Sequence, residues 1–308
     1  MFLFLLCSCK RSEPVREIQQ NPVHKIFSGI EAEPNEILYY PQESWRNEDY
    51  EMFRWKDFPS IVIFDTASYN VQNALFKRIA FFVEKAEFRD TLAQDREIAD
   101  LHGWNAHDYR ASDLSRFFDT AAQSSFPLNS YEETLKYMLI DSGVIVPVGS
   151  GFVAGTGAIL SISRESPEYV RARLMIHECF HGLFFIDAEF RTFSRSRFER
   201  LDPVAKRFLI AYFEYQQYNI DDGYLVVNEF MAYVLQQPVD LAAAYFGKNL
   251  PAQLAANARF NRILPRYDPE TNTWSDLAHT FSVEAEAFSA YVHQRWGLRA
   301  GAVSQKIR

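Results

Sequence analysis

The sequence predicts an α+β fold that is mostly helical, with a small sheet before a central helix and a helical lobe after it. Residues 144–163 hold short β-branched runs separated by glycines, a pattern typical of strands joined by tight turns. Residues 174–186 form a long, largely apolar stretch that predicts a buried helix. The segments 226–233 and 288–296 predict two further helices, and the second of these is amphipathic. We expect a cleft between the sheet and the helical lobe.

One strand and several more helices are predicted in the remaining chain. Ile61–Phe64 is a short apolar run, which indicates a buried strand. Apolar residues at helical spacing predict helices over Val71–Lys85, Ser112–Ala122 and Tyr131–Ser142. Residues 190–219, rich in arginine and aromatic residues, predict one helix or a helical pair. These elements complete the α+β class.

The motif His177-Glu178-x-x-His181 carries the strongest chemical signal in the chain. Positions i and i+4 of a helix share one face, so the two imidazoles can bind one metal ion from a single rigid element. Glu178 can lie over the same ion without being a ligand, and there it can take a proton from water.

The neighbours of the motif favour this interpretation over a core helix with two incidental histidines. The motif lies in an otherwise apolar stretch, where a glutamate without a function would be costly to bury. Pro167, behind a Ser166 cap, predicts the start of the helix. Cys179 lies inside the motif and is expected to be a small buried apolar residue, not a nucleophile.

A catalytic zinc ion normally has three protein ligands, and Glu229 is the best candidate for the third. It is the one carboxylate in the apolar segment 226–233. The alternative is a carboxylate at a helix N-terminus that interacts with the helix dipole. The rival ligands are less convincing by position: Asp187, Glu189, Asp221 and Asp222.

Residues 174–186 and 226–235 together resemble the gluzincin metallopeptidases, which carry HExxH on one helix and a glutamate ligand on a later one. The resemblance implies a zincin-like fold, a Zn²⁺ cofactor, and peptide hydrolysis with Glu178 as the proton carrier. One departure is the gap between His181 and Glu229, residues 182–228, which is longer than in the best-known gluzincins.

The resemblance also implies a Tyr or His that stabilises the oxyanion, from beyond the glutamate helix. The catalytic candidates are His279, Tyr291 and His293, of which His293 lies in the predicted C-terminal helix. Tyr224 and Tyr233 lie nearer the ligand in the chain. A surface or half-buried histidine is an equally good interpretation of each histidine taken singly.

Two further segments were weighed for the cleft. In zincins a sheet edge before the metal helix lines the cleft, and Ala158–Ser163 has that place in the order of the chain. A peptide substrate could pair with such an edge. In residues 101–110, several polar and aromatic residues could line a substrate subsite: His102, Trp104, Asn105, His107, Asp108 and Tyr109. Three of them, His102, His107 and Asp108, could instead bind a second metal ion. A capped turn with packed aromatic residues is the favoured interpretation of this segment.

The first nine residues resemble a bacterial lipoprotein signal. Residues 1–6 are apolar, and Leu6-Cys7-Ser8-Cys9 matches a lipobox, in which Cys9 would be lipidated. The run is too short for a transmembrane helix. We therefore expect a chain anchored through Cys9 to the membrane of a bacterial cell envelope. The alternative is an apolar start with two incidental cysteines.

The expected organisation has three segments: a signal segment at 1–9, an irregular tether at 10–58, and a zincin-like domain at 59–308. This domain comprises an α/β part at 59–143 and a metal-binding part at 144–308.

The net charge of −8 is spread along the chain, and no cluster of basic residues indicates nucleic-acid binding. The expected function is a zinc metallopeptidase acting on a peptide or protein substrate. The alternatives are a non-catalytic binding lipoprotein with a zincin-like fold, and a zinc amidase for a non-protein amide.

Overall fold

The computed structural model describes residues 28–101, 105–270 and 273–304. Its strands are β1 (Ile30–Ala32), β2 (Tyr50–Trp55), β3 (Phe58–Thr66), β4 (His107–Arg110), β5 (Ile145–Val148), β6 (Gly151–Ala154) and β7 (Ala158–Ser163). Its α-helices are α1 (Pro34–Leu38), α2 (Tyr69–Glu84), α3 (Asp95–Ile98), α4 (Ala111–Gln123), α5 (Ser130–Asp141), α6 (Glu168–Ile186), α7 (Ala188–Glu199), α8 (Pro203–Tyr215), α9 (Gly223–Leu235), α10 (Val239–Ala244), α11 (Leu250–Ala255) and α12 (Ser275–Trp296). The predicted α+β class is confirmed.

Five strands form one mixed sheet in the order β1-β2-β3-β7-β4. β3 and β7 are parallel, with Ile61 opposite Ala158. β4 is antiparallel to β7 and ends the sheet on that side. β5 and β6 form a separate hairpin. The prediction that Ala158–Ser163 is the sheet edge is therefore wrong, because β4 covers it.

Successive side chains of β3 point to two different cores, one on each face of the sheet. Ile61 and Ile63 face the core around α6 and the later helices. Val62 and Phe64 face a second core formed with α2, α4 and α5. Successive residues of a strand point to opposite faces, so a continuous apolar run needs helices on both sides. The predicted strand at Ile61–Phe64 is confirmed, and so are the predicted helices that became α2, α4 and α5.

α6 is held closely against the sheet. A Cβ atom on Gly182 would lie 3.0 Å from Ile61 Cδ1, so glycine lets the helix approach the strand. Arg171, in the first turns of α6, binds the buried carboxylate of Asp65 on β3, and Arg164 binds it as well. These contacts fix the position and rotation of α6.

The start of α6 differs in detail from the prediction. Pro167 is the N-cap residue, and its side chain makes no capping hydrogen bond. The Ser166 hydroxyl instead shares a hydrogen bond of 2.8 Å with the Tyr69 hydroxyl. The predicted serine cap is therefore wrong, because a tertiary contact holds that hydroxyl.

The helices after α6 form a lobe around it. The predicted helical pair in residues 190–219 is present as α7 and α8. α9 packs against α6, while α12 packs against α8, α9 and α10. The rings of Phe230 on α9 and Phe288 on α12 meet edge to face at 5.5 Å between centroids. This packing fixes α9 relative to α6.

Residues 28–58 correct the predicted irregular tether. β1 and β2 belong to the main sheet, and Phe53 and Trp55 are fully buried in the core. Tyr50, Phe53 and Trp55 therefore belong to a strand of the main sheet, and this part of the segment is not irregular. The signal segment and Cys9 fall outside the described residues. Within the described ranges, we found no helix with the length and apolar character needed to cross a membrane.

Candidate metal centre

His177 and His181 lie one turn apart on the same face of α6. Their Nε2 atoms are 3.0 Å apart, and their rings cross at 85°. The two side chains are 7% and 1% exposed. Two buried ring nitrogens therefore face one common space.

Glu229 reaches the same space from the middle of α9. One carboxylate oxygen lies 3.6 Å from His177 Nε2, and the other lies 3.6 Å from His181 Nε2. Donor atoms around a tetrahedral zinc ion with bonds of about 2.0–2.1 Å lie about 3.3 Å apart. The three side chains therefore fit one such ion. Glu229 is too far along α9 for the helix-terminus interpretation.

Electrostatics keep both imidazoles available as ligands. Burial lowers the pKa of His177 and of His181 to about 4 each. At neutral pH both rings are therefore uncharged, which is the form that binds a metal. Burial raises the pKa of Glu229, and the opposing influences are His181 and a hydrogen bond from Tyr218.

Glu178 lies beside the three candidate ligands and is 5% exposed. It shares a hydrogen bond with Asp108 on β4, and its Oε2 atom has no partner among the described residues. Burial raises the pKa of Glu178 well above its usual value, and Glu229 and Glu84 add to the rise. Burial also raises the pKa of Asp108 well above its usual value, and the charge of Glu178 adds to this rise. A bound cation would relieve this repulsion between carboxylates, so the cluster also favours a metal.

Asp108 lies against His181 as well. Its Oδ2 atom is 3.8 Å from His181 Nδ1, an atom without a partner in the described part of the chain. Asn228, the residue before Glu229, hydrogen-bonds Asp108 and contacts His181. A histidine that binds a metal through Nε2 needs an acceptor for its Nδ1 proton, and these two side chains occupy that position.

The strand β4 explains why Asp108 but not His107 reaches the site. The two residues point to opposite faces because they are adjacent in a strand. His107 is 1% exposed, shares a hydrogen bond of 2.9 Å with the Tyr109 hydroxyl, and has its pKa lowered by burial to about 3. The predicted capped turn is wrong for residues 107–110, which form a strand. Asp108 lines the cleft, as the alternative interpretation, a substrate subsite, requires. His102 falls outside the described residues.

Four of the five residues named for the oxyanion, His279, His293, Tyr291 and Tyr224, do not come together with this site. His279 and His293 are exposed on α12. The Tyr291 ring stacks on Phe193 at 4.0 Å between centroids, far from the cleft lining. Tyr224 packs against Phe184, beneath the Arg110 guanidinium. Because α12 packs behind α9, the side chains of His279, Tyr291 and His293 are turned away from the ligands.

Two other tyrosines face the candidate ligands. Tyr233 lies one turn after Glu229, and its ring meets the His177 ring edge to face at 5.2 Å between centroids. Its hydroxyl donates a hydrogen bond to Tyr212. Tyr218, in the loop between α8 and α9, hydrogen-bonds Glu229. Sequence reasoning had named Tyr233 and missed Tyr218, for which the loop sequence gives no signal.

The rival ligands have other structural roles. Asp187 caps α7 by accepting a hydrogen bond from the Phe190 amide. Arg295 binds both Asp187 and Glu189. Asp222 caps α9 and binds Arg89, and Asp221 is exposed. None of the four lies in the group formed by His177, His181 and Glu229.

Comparison with known proteins gives no relative from which a function could be transferred. No protein-family model, curated protein or solved structure matches the chain. The chemistry of the site is therefore argued from its own residues.

Proposed function

We propose that this protein is a zinc-dependent metallopeptidase with a zincin-like fold, in which His177, His181 and Glu229 hold the metal. The observation that supports this most is the meeting of three side chains from two packed helices: the two Nε2 atoms lie 3.0 Å apart, and each lies 3.6 Å from a carboxylate oxygen of Glu229. Glu178, the residue after the first histidine, lies beside them, in a second group of possible ligands with Asp108 and His181. The proposal gives Glu178 the role of proton carrier, because His177, His181 and Glu229 already supply three ligands.

The chain's own groups supply the proton chemistry. When bound, zinc supplies Lewis acidity, which activates water and polarises a carbonyl group. Glu178 takes a proton from the attacking water, whose oxygen forms a bond to the carbonyl carbon. As the carbon–nitrogen bond breaks, Glu178 gives this proton to the leaving amine. The hydrogen bond between Glu178 and Asp108 can hold the proton between these two steps.

The cleft suits an extended substrate. β4 ends the sheet beside the candidate metal centre, and Asn105, Ala106 and Asp108 line the cleft along it. A peptide in extended conformation can lie along such a strand and present its carbonyl to the metal. Tyr233 also lines the cleft and is the proposed donor to the oxyanion, for which its hydroxyl proton turns from Tyr212 to the substrate.

The proposed location is the bacterial cell envelope, with a lipid on Cys9. The lipobox-like Leu6-Cys7-Ser8-Cys9 supports it. Incorporation of a labelled fatty acid by wild-type cells, but not by cells that express C9S, would agree with it. Equal labelling of the two chains would contradict it.

The enzymatic proposal is tested by cleavage of a peptide pool by zinc-loaded wild type beside E178Q. We expect cleavage by wild type and a loss of at least about 100-fold in E178Q, which is the size of a general acid–base contribution. Equal zinc content in both proteins is the control. Zinc binding without cleavage of any peptide would favour the zinc amidase.

A further inference from the structure

A cleft of about 500 Å³ lies over the candidate metal centre, and its two halves differ in chemistry. The metal half contains His177 and four carboxylates, Glu84, Asp108, Glu178 and Glu229. The other half is formed by the first turns of α6 together with α8, α9 and the segment from Tyr245 to α11. Its polar side chains are Arg173, Tyr212, Gln216, Gln236, Tyr245 and Gln253.

Arg173 is the one cationic side chain among the residues that line this cleft. It lies four residues before His177 and eight before His181, so the three side chains share one face of α6. At 1.5 Å of rise per residue, Arg173 is about 6 Å along the helix axis from His177. The guanidinium is therefore placed on the same cleft wall as the metal ligands.

No side chain of the cleft neutralises this charge. Within the described ranges, Arg173 makes no hydrogen bond or ion pair, and it is exposed. Its neighbours bind one another: Gln216 donates to the Tyr212 hydroxyl and Gln236 donates to the Tyr245 hydroxyl, each at 2.8 Å. Burial raises the pKa of Tyr212 and of Tyr245, and the charge of Arg173 opposes both shifts. Its positive field therefore acts inside the cleft.

We propose that Arg173 forms a substrate subsite that binds a carboxylate located one or two residues from the scissile bond. This inference rests on the proposed function and adds a substrate class, acidic peptides. An extended peptide spans at most about 3.3–3.6 Å per residue, so the 6 Å offset corresponds to one or two residues. A guanidinium binds a carboxylate through two parallel hydrogen bonds.

The carboxylate has two possible sources, which one experiment separates. It belongs either to the C-terminus of the peptide or to an Asp or Glu side chain. Zinc-loaded protein is given a randomised pool of N-acetylated hexapeptides, once with free C-termini and once as C-terminal amides. Mass spectrometry of the products gives the cleavage sites. A preference that disappears in the amide pool assigns the C-terminus, and one that persists at Asp and Glu assigns a side chain.

We expect wild type to prefer the carboxylate about 10- to 100-fold, the usual strength of a hydrogen bond to a charged group. R173Q should reduce this preference to about threefold or less, and R173K should restore part of it. R195Q is the matched control, because Arg195 is exposed on α7, outside the cleft, and it should keep the preference. A preference that survives in R173Q, or cleavage by wild type without any preference, overturns the subsite.

A binding measurement separates this inference from the proposed function. Zinc-loaded E178Q and E178Q/R173Q are titrated by calorimetry with a polyalanine hexapeptide that ends in free glutamate, and with its glutamine amide. We expect about tenfold weaker binding of the acidic peptide to the double variant, and equal binding of the amide. If wild type cleaves nothing while this difference is present, the peptidase proposal fails and the subsite stands. If wild type cleaves peptides without any dependence on Arg173, the peptidase proposal stands and the subsite fails.

Discussion

The Nε2 atoms of His177 and His181 lie 3.0 Å apart on one face of α6. This contact would be unfavourable between two charged rings. It is compatible with the neutral imidazoles that burial produces, since the pKa of each is lowered to about 4. Two neutral nitrogens directed at one space, with a carboxylate oxygen 3.6 Å from each, are the arrangement that a single metal ion requires.

Asp108 is expected to strengthen metal binding without being a ligand. D108N replaces the carboxyl group beside His181 Nδ1 by an amide and should weaken zinc binding about 10- to 100-fold, as is typical for groups that orient a ligand. Competition with a chromophoric chelator measures the affinity. The control is D240N, because Asp240 is exposed on α10. Equal affinities of D108N and wild type would show that Asp108 does not support His181.

Tyr233 is expected to act on the transition state. Y233F should keep its zinc and lose about 10²- to 10³-fold in kcat, with a small change in KM. Steady-state kinetics on a cleaved peptide measure both parameters. Y169F is the control, since Tyr169 is 74% exposed at the start of α6. A normal kcat in Y233F would remove Tyr233 from the mechanism and leave Tyr218 as the next tyrosine to test.

The ion pairs at Asp65 are expected to stabilise the protein by fixing α6 on the sheet. The Asp65 side chain is 0% exposed and binds Arg171 and Arg164. D65N leaves these cations without a charged partner and should lower the free energy of unfolding by about 3–5 kcal/mol. Urea unfolding measures it. E189Q removes an ion pair whose carboxylate is 75% exposed, and it should cost less than about 1 kcal/mol. Similar costs for the two variants would contradict this role.

His107 is expected to make stability depend on pH. Burial lowers its pKa to about 3 in the folded protein, whereas the unfolded chain takes up a proton below about pH 6.5. The contribution of His107 to stability is therefore complete above pH 6.5 and is lost as the pH falls towards 3.

The test is H107F in zinc-free protein, so that His177 and His181 titrate equally in both chains. Between pH 7 and pH 5 the free energy of unfolding of H107F should fall by about 2 kcal/mol less than that of wild type. The lost hydrogen bond to Tyr109 lowers stability at both pH values and does not affect this difference. An unchanged pH dependence would mean that His107 is accessible to protons in the folded state.

Much of the candidate site follows from the sequence because its signals are local. The spacing of His177 and His181 requires only a helix, and α6 is helical throughout. Glu229 was identifiable because a carboxylate in an apolar helix is costly to bury. Its distance from the histidines depends on how α9 packs on α6, which no local pattern encodes.

The remaining features depend on tertiary contacts. β4 has four residues, which is too short for a reliable period of two, and its place beside β7 set the edge of the sheet. The approach of Asp108 to Glu178 followed from that pairing. The predicted tether at 10–58 is wrong for β1 and β2, because β1 has three residues and the two strands form their pairing only within the sheet. The prediction that His279, Tyr291 or His293 on α12 stabilises the oxyanion was wrong because helical periodicity does not indicate which neighbour each face of a helix will contact.

The most direct test of the central claim is the zinc content of freshly purified, chelator-free protein, measured by plasma mass spectrometry beside H181Q and E229Q. The account predicts one zinc ion per wild-type chain, and affinity weakened by more than about 100-fold in each variant, since each loses a direct ligand. Substoichiometric metal in wild type, or equal metal in all three proteins, would contradict a site formed by His177, His181 and Glu229.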